Sequence, residues 1–371
     1  MRCSLPSEGP PAIYPPVTTR LHRSRLAIGL GLGLALALAL AALPACGDDA
    51  TSGAADTVAD TVLGDDAGAD SVIAPDTGGG ADTATADTAP ADDTAATGDD
   101  ADAATPLPES FGGERPAPVF YPADYDAATA WPLVILLHGY TASGVIQDAY
   151  LGFHAAATAR GYVVLVPEGT TDTTGSQFWN ADPSWCCNFY GSAVDDQSYL
   201  LDLVAEAEAA LHIDPARVYL VGHSNGGFMA HRMACDHADV FAGVVSIAGS
   251  LPNAVSDCAP SAPVTVLQVH GTADAVIGYN GNPGAYPGAL SVADRWIAYD
   301  GCDTTAAVAP AVDYDGLVIG DETVPSTWTG CDGGAAVALW TLTGSSHVPG
   351  FSQTFLPAVL DFLEAHERAA R

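Results

Sequence analysis

Residues 218–228 read VYLVGHSNGGF. An apolar run from Val218 to Val221 stops at Gly222, a serine follows two positions on, and Gly226 and Gly227 close the stretch. A short β-rich apolar run halted by glycine is the pattern of a buried strand. From Asn225 onward a helix is expected. Gly222-His-Ser-Asn-Gly226 is therefore a G-x-S-x-G sequence at a strand-to-helix turn. That turn is tight and strained, so its flanking positions need glycine, and it holds the Ser224 hydroxyl above the end of a sheet. The backbone N–H of Asn225, at the start of the helix, then points at a developing oxyanion. Alone, the five-residue pattern is weak. Between a strand and a helix, it makes Ser224 a nucleophile rather than an ordinary turn serine.

A nucleophilic serine needs a base and an orienting acid. In a sheet of this kind they follow in the chain order Ser, Asp, His. Asp274 stands in HGTADAVIGYNG, just past the apolar run 264–269, at the carboxyl end of a strand where catalytic groups gather. His347 stands in GSSHVPG, a Gly/Ser-rich loop past the apolar run 337–341. The other histidine after Asp274, His366, falls in a terminal helix. A second oxyanion donor is expected in HGYTASG, after the run 133–137. Tyr140 is the candidate and its neighbour Thr141 the alternative. His138 and His270 precede glycines at strand ends and read as loop-shaping residues. His223 packs beneath the turn, and His231 and His237 lie on or after the following helix. No two-histidine-plus-carboxylate spacing suits zinc, so neither a metal nor an organic cofactor is expected.

The surrounding pattern supports an α/β fold. Strand-like runs at 119–121, 133–137, 162–166, 218–221, 244–247, 264–269 and 337–341 alternate with helical patterns at 145–160, 196–212, 225–236, 290–299 and 354–368. In the second helix Leu200, Val204 and Leu211 share a face, with Asp195 or Asp196 as N-cap. Several strands are apolar on both faces, as a sheet covered by helices requires. The expectation is a mostly parallel central sheet with right-handed crossovers.

The 371 residues are not uniform. Arg20, Arg23 and Arg25 precede an apolar core, Leu26 to Leu43, which reads as an export signal. LPAC, ending at Cys46, resembles a lipobox, although Pro44 is uncommon in one. An ordinary secretory leader and an uncleaved anchor are the alternatives. Residues 1–46 are thus a leader with a lipobox. Residues 47–106, built on loose Ala-Asp-Thr repeats, are a linker too poor in apolar surface to fold. Residues 107–371 are the catalytic domain, long enough to bury one core. The formal charge of −34, with every basic residue an arginine, disfavours binding to nucleic acid or anionic lipid. Membrane contact is expected only through a lipid anchor, and the composition leaves the oligomeric state open.

Cys3 precedes the leader's cleavage point, and Cys46 would carry the lipid. Six cysteines remain in the domain, and export permits disulfides. Proximity along the chain suggests Cys235–Cys258 and Cys302–Cys331, which leaves the adjacent Cys186 and Cys187 for each other. Reduced thiols or a shuffled pairing are the alternatives. Phe178 to Gly191, FWNADPSWCCNFYG, is a long aromatic loop. Trp179, Trp185 and Tyr190 are either walls of a substrate pocket or the small core of that loop.

These motifs together resemble a known family. PLVILLHGYTASG, the paired cysteines before DDQSYL, IDPARVYLVGHSNGGFMAHRMAC, HGTADAVIGYNG, the Trp296 helix ending in Gly-Cys, and GSSHVPG look like the secreted polyhydroxybutyrate depolymerases and feruloyl esterases. The match runs from about residue 107 to residue 368. It implies an α/β-hydrolase fold and extracellular ester substrates. It also implies Ser224 as nucleophile, Asp274 as acid and His347 as base. Members often carry a tryptophan shortly after the catalytic histidine. Here the sequence is Val348-Pro349-Gly350, so the substrate is not carried over with the fold. Serine peptidase or acyltransferase chemistry on the same fold, and a non-catalytic surface binding protein, are the rival readings.

Overall fold

The computed structural model describes residues 106–181 and 186–368. The expected leader, most of the linker, Cys46 and Trp185 lie outside the described residues.

Ten strands, numbered here in chain order, form one sheet: β1 Ser110–Phe111, β2 Ala117–Phe120, β3 Trp131–Leu137, β4 Val163–Leu165, β5 Ile213–His223, β6 Gly243–Ile247, β7 Thr265–Gly271, β8 Ala307–Val308, β9 Thr323–Trp328 and β10 Val337–Leu342. Their spatial order is β1-β2-β4-β3-β5-β6-β7-β10-β9-β8. The block β4-β3-β5-β6-β7-β10 is parallel throughout, and the strands outside it pair antiparallel at both edges.

The apolar runs are continuous because this block is covered twice. Leu133, Ile135 and Leu137 of β3 point to one face, and Val134 and Leu136 to the other. Val218 and Leu220 of β5 likewise oppose Tyr219 and Val221. Helices α3 (Asp196–Ala210), α4 (Asn225–Asp236) and α5 (Ala289–Tyr299) bring Leu203, Met233 and Trp296 to the first face. Helices α2 (Phe153–Thr158) and α6 (Phe355–Glu364) bring Phe153 and Leu360 to the second. Each fully buried aliphatic side chain of this kind contributes about 1.5–3 kcal/mol of transfer free energy.

All seven expected strands are present. The helix expected over 145–160 is broken into two pieces, α1 (Gly144–Leu151) and α2. Gly152 adopts φ 64°, the left-handed conformation that ends a helix, and its N–H closes on Asp148 O. The Asp148 carboxylate then accepts the His154 N–H at 2.7 Å and starts the second piece. Two strands beyond the expectation, β8 and β9, continue the sheet past β10. The sequence TVPSTW of β9 hides its character because Pro325 interrupts it and most of its positions are only half-buried.

Cys235–Cys258, Cys302–Cys331 and Cys186–Cys187 are each bonded. The first ties the end of α4 to the loop after β6. The second closes the segment between α5 and β10. Among the described residues, no helix is long and apolar enough to cross a membrane.

Candidate active site

β5 delivers its last residue, His223, to the carboxyl edge of the sheet, and α4 begins at Asn225. Ser224 joins them at φ 55° and ψ −119°, a backbone state that costs on the order of 1–3 kcal/mol for a residue with a Cβ. The turn is possible because its flanks lack side chains. A Cβ on Gly222 would lie 2.1 Å from Gly226 O, and one on Gly226 would lie 2.4 Å from Leu137 O. The Ser224 N–H donates to Ile247 O at 2.8 Å, which anchors the turn to β6.

Two loops from neighbouring strands meet the serine. His347, beyond β10, sets Nε2 2.9 Å from Ser224 Oγ and Nδ1 2.7 Å from Asp274 Oδ2. Asp274, beyond β7, also accepts the Val276 and Ile277 N–H groups on Oδ1, both at 2.8 Å. Burial alone would raise its pKa. Hydrogen bonds from His270 and His347, the charge of His347 and the Val276 N–H outweigh that effect and hold the carboxyl well below the usual carboxylate range. Asp274 is therefore ionised at neutral pH, and its contact fixes a proton on His347 Nδ1. Nε2 is left to accept from Ser224.

The third approach is from the loop after β3. Gly139 packs against the serine, so that a Cβ there would stand 3.4 Å from Ser224 Cβ. The Thr141 N–H is committed to Gln177 O at 2.8 Å. The N–H groups of Tyr140 and Asn225 meet no backbone acceptor among the described residues. The Tyr140 hydroxyl donates to Asp172 Oδ2 at 2.9 Å, and Asp172 Oδ1 accepts the Thr174 and Ser176 N–H groups. The hairpin at residues 170–178 thus braces the loop.

The residues expected on the aromatic loop separate. Trp179 has no exposed surface. Its indole N–H donates to His138 O at 3.0 Å, and it belongs to the interior of the loop rather than to a substrate wall. Tyr190 is 53% exposed and Phe189 59% exposed, with the Phe189 ring edge-on to Tyr140 at 5.3 Å. The Asn225 side chain clamps this loop to the turn. Oδ1 accepts the Trp179 N–H at 2.6 Å, and Nδ2 donates to Trp179 O at 3.0 Å and to Cys186 O at 3.5 Å. Val348, beside the histidine, is 52% exposed.

Sequence reasoning assigned too little to His223. Its ring nitrogen Nε2 lies 2.9 Å from His347 O, and a carbonyl can only accept, so Nε2 carries the proton. Burial, with the charge of His347, pushes the His223 pKa down to about 4, so the ring is neutral in ordinary use. Tyr150 OH donates to Pro349 O at 2.6 Å, and the Gly350 N–H donates to Asp315 Oδ1 at 2.8 Å. The His347 loop is thus held from three directions. Nothing in the sequence spacing signals these contacts, which span 35 to 199 residues.

Among the described residues no cluster of histidine, cysteine or carboxylate side chains could hold a metal ion. The prolyl oligopeptidase family matches residues 151–284. Feruloyl esterase B of Piromyces equi is 28% identical over 243 residues, covering 62% of this chain and 42% of that protein. Poly(3-hydroxybutyrate) depolymerase of Ralstonia pickettii is 35% identical over 131 residues, covering 32% of this chain and 25% of that one.

The chain has the α/β-hydrolase fold.

The chain spans less than half the length of either of those two relatives. An acetyl xylan esterase from Aspergillus awamori superposes on it with a TM-score of 0.48 at 14% identity, covering 68% of this chain and 94% of that one. The Ser224 turn lies inside the matched family region, whereas His347 lies beyond it.

Proposed function

We propose that the protein is a serine carboxylic ester hydrolase acting through Ser224, His347 and Asp274. The continuous line of contacts from Ser224 Oγ through His347 to Asp274 carries this reading. His347 takes the serine proton as Oγ attacks the ester carbonyl. Asp274 holds the ring in the required tautomer and stabilises the imidazolium. The N–H groups of Tyr140 and Asn225 receive the oxyanion, and the bond from the Thr141 N–H to Gln177 O supports Tyr140 over Thr141. His347 then protonates the leaving alcohol, and water repeats the sequence on the acyl-enzyme. The relatives named as feruloyl esterase and polyhydroxybutyrate depolymerase support feruloyl or acetyl esters of polysaccharide, or hydroxyalkanoate oligomers, as substrates. The protein is exported and anchored through lipid on Cys46. A Cys46→Ser variant released from the membrane fraction is the expected result, and one retained there would overturn the anchor.

The test is hydrolysis of p-nitrophenyl acetate, p-nitrophenyl butyrate and methyl ferulate by the parent and by Ser224→Ala. Turnover by the parent should fall about 10³-fold or more in the variant. Equal rates in both would overturn the assignment. The match to the prolyl oligopeptidase family favours a second reading, a peptidase. Cleavage of peptidyl p-nitroanilides in preference to all three esters would establish it.

A further inference from the structure

Asp274 has a second histidine on it. His270, next to last in β7 and only 2% exposed, places Nε2 2.8 Å from Ile277 O and 3.5 Å from Asp274 Oδ2. Which nitrogen of that ring bears the proton can be worked out from its partners, because a chain of buried groups leads to it. The chain begins at Trp296, whose indole nitrogen can only donate. It lies 3.2 Å from His231 Nδ1, so that nitrogen accepts. His231 is fully buried, and burial pushes its pKa down to about 4, so the ring is neutral and its proton sits on Nε2. Nε2 lies 2.9 Å from Gln268 Oε1 and donates to it.

The orientation of the Gln268 amide is fixed independently. Its Nε2 lies 2.9 Å from Gly249 O, which can only accept, so the amide cannot be turned round. The same Nε2 lies 3.1 Å from His270 Nδ1. Its second proton goes there, His270 Nδ1 accepts, and the His270 proton is on Nε2, facing Ile277 O and Asp274. Donor and acceptor alternate without conflict from Trp296 on α5, through α4 and β7, to Ile277 O beside the carboxylate. An unpaired group in such an enclosed network would cost about 1–3 kcal/mol.

We infer that His270 is a positioning residue for the proposed reaction, holding Asp274 and the 274–277 turn through an Nε2–H whose tautomer is set by Gln268, His231 and Trp296. The inference deepens the serine hydrolase reading and rests on it. The carboxylate accepts from Val276 and Ile277 on Oδ1 and from His347 on Oδ2, while the His270 Nε2–H donates to Ile277 O and stands 3.5 Å from Oδ2. With Ile277 O tied down by His270, the turn keeps its Val276 and Ile277 N–H groups on Oδ1 and the carboxylate turned toward His347 Nδ1.

The experiment has two arms. In the first, nitrogen-15 NMR of histidine-labelled parent protein at pH 7 should show His231 and His270 as Nε2–H tautomers. A Nδ1–H tautomer at His270 overturns the inference. In the second, His270→Gln and His270→Asn are compared on p-nitrophenyl butyrate. Both carry the same amide, but glutamine reaches the position of Nε2 and asparagine only that of Nδ1. Glutamine should keep kcat within about threefold of the parent. Asparagine should lower it roughly 10- to 100-fold at unchanged KM, the range for leaving a buried acceptor without its donor. A purely structural role predicts lower melting temperatures for both, with the parent's kcat per folded molecule, and that outcome overturns the inference. If Ser224→Ala retained the parent's turnover, the hydrolase reading would fall and the role of His270 with it. An active parent with His270→Asn at full kcat removes His270 alone.

Discussion

The proposed nucleophile and the proposed base are held in opposite ways. Ser224 is positioned by its own neighbours: Gly222 and Gly226 allow the backbones to close, and the turn is anchored by a bond to the adjacent strand. His347 stands in a loop whose backbone is held by His223, Tyr150 and Asp315, none of them close in sequence. A strained turn can be specified by a few consecutive residues because its constraint is steric and local. A loop of Gly and Ser has no such constraint, and its place comes from polar groups that reach across the fold.

That contrast predicts an order of effects. Gly222→Ala should be the most severe, because the new Cβ would stand 2.1 Å from Gly226 O and cannot be relieved without opening the turn. Ester hydrolysis should fall by roughly 10³-fold or more, together with the yield of folded protein. A soluble variant with substantial activity would show that the turn is less local than described.

Removing the remote supports should cost less and act on the base alone. His223→Phe strips the donor from His347 O, and kcat should fall about 5- to 50-fold from the loss of one buried hydrogen bond. Tyr150→Phe removes the bond to Pro349 O and should lower kcat by about 2- to 10-fold. Steady-state kinetics alongside circular dichroism would measure both. Parental kcat in both variants would mean that the loop supports itself, and the contrast with the elbow would disappear.

The smallest effect on activity is expected where neither region is touched. Asp300, at the end of α5, is fully buried, with Oδ1 taking the Val264 N–H and Oδ2 without a partner. Burial, with the nearby Asp332 charge, pushes its pKa up to about 7. A carboxyl raised on folding is comfortable while protonated and costs stability as pH climbs from the ordinary value of about 4 through the folded one. Asp300→Asn should therefore leave kcat unchanged. It should raise the melting temperature at pH 8 by several degrees, for a gain of about 2 kcal/mol, and alter it little at pH 4. An equal change at both pH values would contradict the sign of the shift.

Much of the fold was legible because a parallel sheet covered on both faces forces continuous apolar runs, and all seven such runs became strands. The break at Gly152 was not legible, since one glycine inside a helical pattern is compatible with either a tolerated residue or a cap. The strand at Thr323–Trp328 was hidden by Pro325. In the site, Ser224, Asp274 and His347 could be placed because each closes a strand in the expected order. Trp179 could not be sorted from Tyr190 by composition, since an aromatic residue fits an interior and a pocket wall equally well.

By itself, then, the sequence determined the sheet, the elbow and the three side chains that converge on it, because strand periodicity and glycine sterics act over a few residues. Only the tertiary structure decided how those side chains are held. It set the tautomer of His223 through His347 O, the commitment of the Thr141 N–H to Gln177, and the enclosure of Trp179 by the Asn225 clamp. A hydrogen bond needs donor and acceptor within about 3 Å and aligned, and no spacing along a chain fixes such a distance between residues a hundred positions apart.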